Sequence, residues 1–212
     1  MKQGDCISLG PETSYSLLND PKHLCFVLAR YKFCSKILEG KQNILEIGCG
    51  DAFGTPIVAQ NSNIVVAIDI DGEIIDSNRK LLKTNNVSFV QHDICDSCIY
   101  CGDYKFDGAF AIDVIEHINP LLENDFMENS IRCLRDDGVY IIGTPNITAS
   151  PFATEKSRTR HINLKGHQEL RDLMSKYFNN VFLFSMNDEV VHTGFYPMAH
   201  YLFGVGIGVK HA

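Results

Sequence analysis

The chain has 212 residues, 45% hydrophobic and 21% charged, a composition that suits one well-packed globular domain. A formal charge of −7 argues against a nucleic-acid footprint, which needs a basic face. "MKQGDCISLGPETSY" lacks the apolar stretch of a leader, and no run reaches the roughly 18 apolar residues of a membrane helix. The eight cysteines therefore read as reduced thiols in a cytoplasmic protein with no membrane partner.

In chain order, "DPKHLCFVLARYKFCSKILEG" repeats apolar residues at helical spacing and stops at Gly40. "QNILEIGCG" is a short apolar strand running into glycines, and "PIVAQ" continues as helix. "NIVVAIDID" is a strand of the continuously apolar kind found in parallel sheets. "GEIIDSNRKLLKTNN" reads as a helix, "VSFVQHDI" and "YKFDGAFAID" as strands. "PLLENDFMENSIRCLRDDG" reads as a helix closed by its glycine, and "VYIIGTP" as a fifth strand. "GHQELRDLMSKYF" is a last helix. "NVFLFSMND" and "HYLFGVGIGV" end the chain as two strands without a full crossover helix between them. Alternation with short links predicts an α/β fold, a doubly wound, mostly parallel sheet covered on both faces. The last strand pair predicts an antiparallel edge. Residues 146–165 form the one long irregular stretch.

Cys95, Cys98 and Cys101 in "CDSCIYC" supply three thiols, where structural zinc prefers four ligands in two pairs. They read as buried or loop thiols.

"ILEIGCGDAFGT" places glycines at 48, 50 and 54. The dinucleotide fingerprint would put its third glycine on Phe53, and no Walker lysine follows. Asp69 ends the second strand, about 20 residues on, where an acid accepts ribose hydroxyls; Asp71 competes for that role. Asp93 and Ile94 end the third strand, placed for an adenine amine and its ring. Each acid alone is an ordinary turn or cap residue. The ordered trio at three strand ends is not ordinary.

On these residues the chain resembles the class I S-adenosylmethionine-dependent methyltransferases, and is similar to the ubiquinone-pathway O-methyltransferase-like, small-molecule group. The resemblance implies a Rossmann-like, seven-stranded sheet with the last strand antiparallel between five and six. It implies S-adenosyl-L-methionine as cofactor. Glu46, Gly48, Cys49, Gly50 and Gly54 would take its methionine end. Asp69 and Ile70 would take the ribose, Asp93 and Ile94 the adenine, and the backbone near Ala111 and Asp113 would line the methionine. Residues 1–212 are then a single methyltransferase domain. Within it, 1–40 form an N-terminal lid and helix, 41–145 the cofactor-binding core, and 146–212 the acceptor loop and C-terminal strands. "GDAFG" departs from the commoner small loop, which requires Asp51 and Phe53 to point away from the cofactor.

"DVIEHI" places Asp113, Glu116 and His117 at i, i+3 and i+4. In one reading Asp113 caps a helix and Glu116 closes a capping box. In the other the three form an N,O face for Mg²⁺ or Mn²⁺. Ubiquinone-pathway and small-RNA 2′-O-methyltransferases carry a similar acid-x-x-Glu-His, with Glu where this chain has Asp113. His117 with Glu116, and His161 in the long loop, are the candidate catalytic residues, either histidine serving as base. His167 reads as a helix N-terminal residue.

The lid material includes Ser14, Tyr15, Ser16, Ser150, Thr154 and Ser157 with Lys156, Arg158 and Arg160. It suits O-methylation of a small hydroxylated acceptor such as a sugar or nucleotide-sugar. A phenol or quinone precursor is the alternative. A non-catalytic S-adenosylmethionine-binding module and an NAD-dependent oxidoreductase are the competing classes. A small-molecule substrate is the expected partner. The oligomeric state stays open, a homodimer among the options.

Overall fold

The computed structural model describes residues 8–99 and 104–210. The helices and strands run α1 (Pro11–Asn19), α2 (Lys22–Ile37), β1 (Asn43–Ile47), α3 (Thr55–Ala59), β2 (Ile64–Asp69), α4 (Gly72–Leu81), β3 (Val87–Gln91), β4 (Phe106–Ile112), α5 (Glu123–Arg132), β5 (Leu134–Pro145), α6 (Glu155–Arg160), α7 (His167–Ser175), β6 (Phe178–Asn187), β7 (Val190–His192) and β8 (Tyr201–Val209). Short 3-10 turns occupy Ile115–His117, Pro120–Leu122, Ile147–Phe152 and Tyr196–Met198.

All strands join one sheet in the order β3-β2-β1-β4-β5-β8-β6-β7. β1 to β5 pair in parallel. β8 lies antiparallel between β5 and β6. The predicted doubly wound α/β sheet with an antiparallel end is what forms. Among the described residues the strand count is eight rather than seven. The addition is β7, which folds back on β6 from Asn187↔Val190 to Ser185↔His192. Asp188 takes the left-handed conformation in that tight reversal. With three residues, β7 is too short to show a periodicity in sequence.

Central strands are apolar because helices cover both sheet faces. All seven residues of β4 are buried, as are Ile44 to Ile47 of β1. Leu45, Ile47, Phe106, Ile142 and Leu202 pack with α5 and α7 on one face. Ile44, Val65, Phe110, Ile141 and Phe203 pack with Tyr31 and Cys34 of α2, and with Leu38 just past its end, on the other. Strand order reverses between β1 and β4, and in open α/β sheets the crevice beyond the carboxyl ends at such a point receives ligands. Among the described residues no helix is long and apolar enough to cross a membrane.

The helix expected through Gly138 ends early. α5 stops at Arg132, and "RDDG" bulges within β5, where Leu134 pairs with Phe106 and Val139 with Gly108. Tertiary contacts override the local helical pattern. Arg135 bridges to Asp107 Oδ1 at 2.7 Å, while Asp107 Oδ2 accepts from the backbone nitrogens of Gln42 and Asn43 at 3.0 and 2.8 Å. One buried carboxylate thus stitches the start of β1 to β4 and β5. Asp107→Ala strands two backbone donors and should cost about 2–3 kcal/mol in urea unfolding. A loss below about 0.5 kcal/mol, the size of an ordinary surface change, would show that the stitch is unimportant.

Candidate functional site

The loop after β1 turns through two left-handed glycines, Gly48 at φ +71° and Gly50 at φ +48°. A side chain at Gly48 would also strike Val114, whose Cγ2 lies 2.5 Å from the site of its Cβ. The backbone nitrogens of Gly48 and Cys49 both donate to the Ile68 carbonyl, at 2.8 and 2.9 Å. Gly50 N donates to Asp69 Oδ2 at 2.9 Å, and Asp71 N to Asp69 Oδ1 at 3.0 Å. Asp69 therefore braces the loop, and Asp71 is occupied as the cap of α4, accepting from Glu73 and Ile74. Gly54 lets α3 pass the Tyr31 ring, which a Cβ would meet at 2.2 Å.

Asp51 turns toward α1 and accepts from Thr13 N at 2.7 Å. Phe53 is half-buried beside Leu81 and Leu82. Asp93 accepts from Cys95 N at 2.8 Å, and the buried Ile94 has its carbonyl held by Asn129 of α5 at 2.9 Å. Ile70 is exposed. Cys49 is buried, which pushes its thiol far up, so it acts as packing and not as a nucleophile. Cys101 lies outside the described residues; Cys95 and Cys98 are partly buried.

Glu46 and Glu116 are buried near the carboxyl ends of β1 and β4, and Asp113 is partly buried there. Glu46 Oε1 accepts from the Tyr31 hydroxyl at 2.8 Å, and burial lifts its carboxyl to about 7. Asp113 has φ +59°, a strained value for a non-glycine residue, with its nitrogen on the Gly143 carbonyl at 3.0 Å. Its carboxylate pairs with Arg30 Nη1 at 2.6 Å, and the guanidinium lies 3.9 Å over the Tyr201 ring. Arg30 Nε is buried without a hydrogen-bond partner among the described residues.

Glu116 is fully buried. Its Oε2 accepts from Thr144 Oγ1 at 3.0 Å, while Oε1 has no partner among the described residues. Burial, then the Asp113 charge, push its carboxyl up; Thr144 and Arg30 pull against that shift. His117 is exposed, with Nδ1 3.1 Å from the Arg160 carbonyl. A carbonyl only accepts, so that bond puts the proton on Nδ1 and leaves the Nε2 lone pair available. The His161 ring stands 5.0 Å away at 74°, its pKa lowered by burial and then by His117. Donor atoms of Glu116, His117 and His161 all lie within 4.8 Å of one another.

The structure thus joins His161 to Glu116 and His117 and leaves Asp113 out. Asp113 is neither a cap nor a member of the trio. The segment that follows is one 3-10 turn with Val114 at its N-cap position and no side-chain cap. Asn163 N donates to the Glu116 carbonyl at 3.0 Å and holds the long loop in place. His167 opens α7 and stacks on Tyr196 at 5.0 Å, apart from the trio. Arg30, Tyr201, Thr144 and Asn78 escaped the sequence reading. Asn78 did carry a signal, an amide three residues after Ile75 on the apolar stripe of α4.

Residues 45–142 match the family model described as a methyltransferase domain. Over 116 residues the chain is 32% identical to the ubiquinone biosynthesis O-methyltransferase of Rickettsia akari, covering 53% of this chain and 44% of that protein. A protein named probable S-adenosylmethionine-dependent methyltransferase in Mycolicibacterium smegmatis is 26% identical over 134 residues, covering 63% and 50%. The chain spans about half the length of these curated relatives. The N-methyltransferase NodS of Bradyrhizobium japonicum, solved with S-adenosyl-L-homocysteine, superposes with a TM-score of 0.64 at 15% identity over 94% of this chain and 93% of that one.

Glu116 keeps its proton to higher pH in the folded chain than in the unfolded one. Stability contributed by this group is full below the ordinary carboxylate value of 4.5 and is lost as pH rises above it. Glu46, lifted to about 7, acts in the same direction. In Glu116→Gln, the fall in melting temperature between about pH 5 and pH 8 should be smaller than in the parent. Equal falls in the two proteins would mean that Glu116 ionises normally.

Proposed function

We propose that this chain, whose residues 45–142 match the model of a methyltransferase domain, is a class I S-adenosylmethionine-dependent methyltransferase that transfers a methyl group to a hydroxyl of a small acceptor. One observation carries the reading. The loop–Asp69–Asp93 line lies at the carboxyl ends of β1 to β3, and the Glu116–His117–His161 trio follows the neighbouring β4.

S-adenosyl-L-methionine supplies an activated methyl on its sulfonium, so the chain must hold it, align the acceptor and take up one proton. Asp69, although braced by two backbone donors, retains lone pairs for ribose hydroxyls. Asp93 and Ile94 lie at the adenine end. Arg30, with a buried and unpartnered Nε, would complete its bonding on a carboxylate such as that of methionine. His117 Nε2 takes the acceptor proton, and the His161 ring stands beside it. Transfer makes one carbon–oxygen bond, breaks one carbon–sulfur bond and leaves the proton on imidazole.

The acceptor we favour is a sugar or nucleotide-sugar, supported by Arg158 and Arg160 on α6. The Thr154 and Ser157 hydroxyls are less available than their composition suggests, because they bond each other at 2.9 Å as the cap of α6. A phenol or quinone precursor gains support from exposed Ile147, Phe152 and Ile162 on the same segment, and from the ubiquinone-pathway relative. A nicotinamide role is disfavoured by Phe53 at the third fingerprint position.

A second reading also has an observation behind it. Glu116, with a free buried oxygen, and the two imidazoles fit a divalent ion, which would lower the acceptor's pKa. A set of one carboxylate and two imidazoles suits Mn²⁺ better than Mg²⁺. Asp113, tied to Arg30, is not a ligand in it.

Calorimetry should show S-adenosyl-L-homocysteine binding that Asp69→Ala weakens by about 1–3 kcal/mol. Binding of NADH in its place would overturn the cofactor assignment. With a methylated acceptor found by mass spectrometry, His117→Ala should lower turnover about a hundredfold. Exhaustive chelation separates the two versions: activity survives it if His117 works alone, and is lost until Mn²⁺ is restored if the trio holds an ion. Near-normal turnover in His117→Ala would refute both.

A further inference from the structure

α4 buries one face against the sheet, and Ile75 and Asn78 are its buried side chains. Asn78 is 2% exposed. A buried amide costs free energy unless its polar atoms are bonded, and an apolar residue would pack there without that demand. The amide is spent on the glycine loop. Asn78 Nδ2 donates to the Gly50 carbonyl at 2.6 Å and reaches Cys49 Sγ at 3.9 Å.

Gly50 is held on its other side too, by its own N–H on Asp69 Oδ2 at 2.9 Å. Its nitrogen and its carbonyl belong to successive peptide planes. Holding both fixes the left-handed φ of +48° between them. Sterics do not do this work, since a Cβ at Gly50 would meet nothing within 4 Å. Without the Asn78 bond the carbonyl would be free to rotate toward the crevice, and the planes of Cys49–Gly50 and Gly50–Asp51 would no longer be set relative to Asp69.

We propose that Asn78 is a positioning residue for the cofactor: from α4 it locks the Gly50 peptide so that the glycine loop and the Asp69 carboxylate present one preformed surface to S-adenosyl-L-methionine. The proposal rests on the reading that this loop receives the methionine end of the cofactor. It goes further in assigning the loop's geometry to a residue that touches no ligand. Preorganisation of this kind shows in affinity, because a loop that must be ordered at binding subtracts that cost from the complex.

The test is titration calorimetry of S-adenosyl-L-homocysteine into the parent, Asn78→Leu and Asn78→Ala, with each melting temperature measured alongside. Leucine keeps the volume and removes the donor; alanine removes both. Each folded variant should bind about tenfold more weakly, the equivalent of one lost hydrogen bond. A merely structural brace would lower the melting temperature while the folded protein bound within about threefold of the parent, and that result would overturn the proposal. Failure of both variants to fold would overturn it as well, since the residue would then serve the fold. A parent that binds no S-adenosyl-L-homocysteine would instead sink the cofactor assignment and leave the loop clamp as plain architecture.

Discussion

A sheet buried on both faces admits polar groups along its central strands only where they are partnered, as Glu46 is by Tyr31 and Asp107 by Arg135, and that constraint organises this molecule. Such groups collect where the strands stop. β4 is buried over its whole length, and the polar residues that follow it, Asp113, Glu116 and His117, fall within five positions of its end. β1 ends in the glycine turn, β2 in Asp69, β3 two residues before Asp93. Parallel strands put these ends on one edge. The reversal of strand order between β1 and β4 opens the crevice there. One rule of burial thus places the loop, the two acids, Glu116 and His117 at one edge of the sheet.

The charges at this edge are tightly tied. Arg30 and Asp113 form a pair whose side chains are mostly buried, with Tyr201 beneath the guanidinium. A pair that is taken out of water needs such partners to be tolerated. Burial raises the Glu116 carboxyl first, the negative member of the pair raises it further, and the positive member opposes that rise. Strain at Asp113 is held by the Gly143 carbonyl and by Arg30 together. Strained backbone of this sort is enriched at functional sites, although at Asp188 it serves a tight turn. The long loop is fixed by a small polar cluster, Lys165 on Glu123 at 2.5 Å and Asn163 on Glu123 at 2.8 Å, and this brings His161 to the trio.

Much of this was legible in the sequence, for a physical reason. Continuous apolar runs reported doubly buried strands, and the final strand pair without a crossover helix reported the antiparallel end. What stayed hidden depends on contacts between distant segments. The "RDDG" bulge follows from Arg135 meeting Asp107, which no local pattern shows. Neither β7 nor α6 is long enough to print a period. The i, i+3, i+4 spacing of "DVIEH" assumed a helix, and one 3-10 turn with Asp113 facing Arg30 formed instead. Arg30 shares a face of α2 with Phe26, Phe33 and Ile37, and only the fold reveals its partner 83 residues away.

The central claim is that cofactor and acceptor chemistry meet where β1 and β4 end. A crystal structure with S-adenosyl-L-homocysteine tests it most directly. The account predicts ribose hydroxyls on Asp69, the adenine beside Asp93 and Ile94, and the sulfur turned toward the side of Glu116, His117 and His161. Ligand lodged instead in the 480 Å³ groove lined by Arg79, Lys83 and Ser88, with the crevice at the glycine loop empty at saturation, would contradict it.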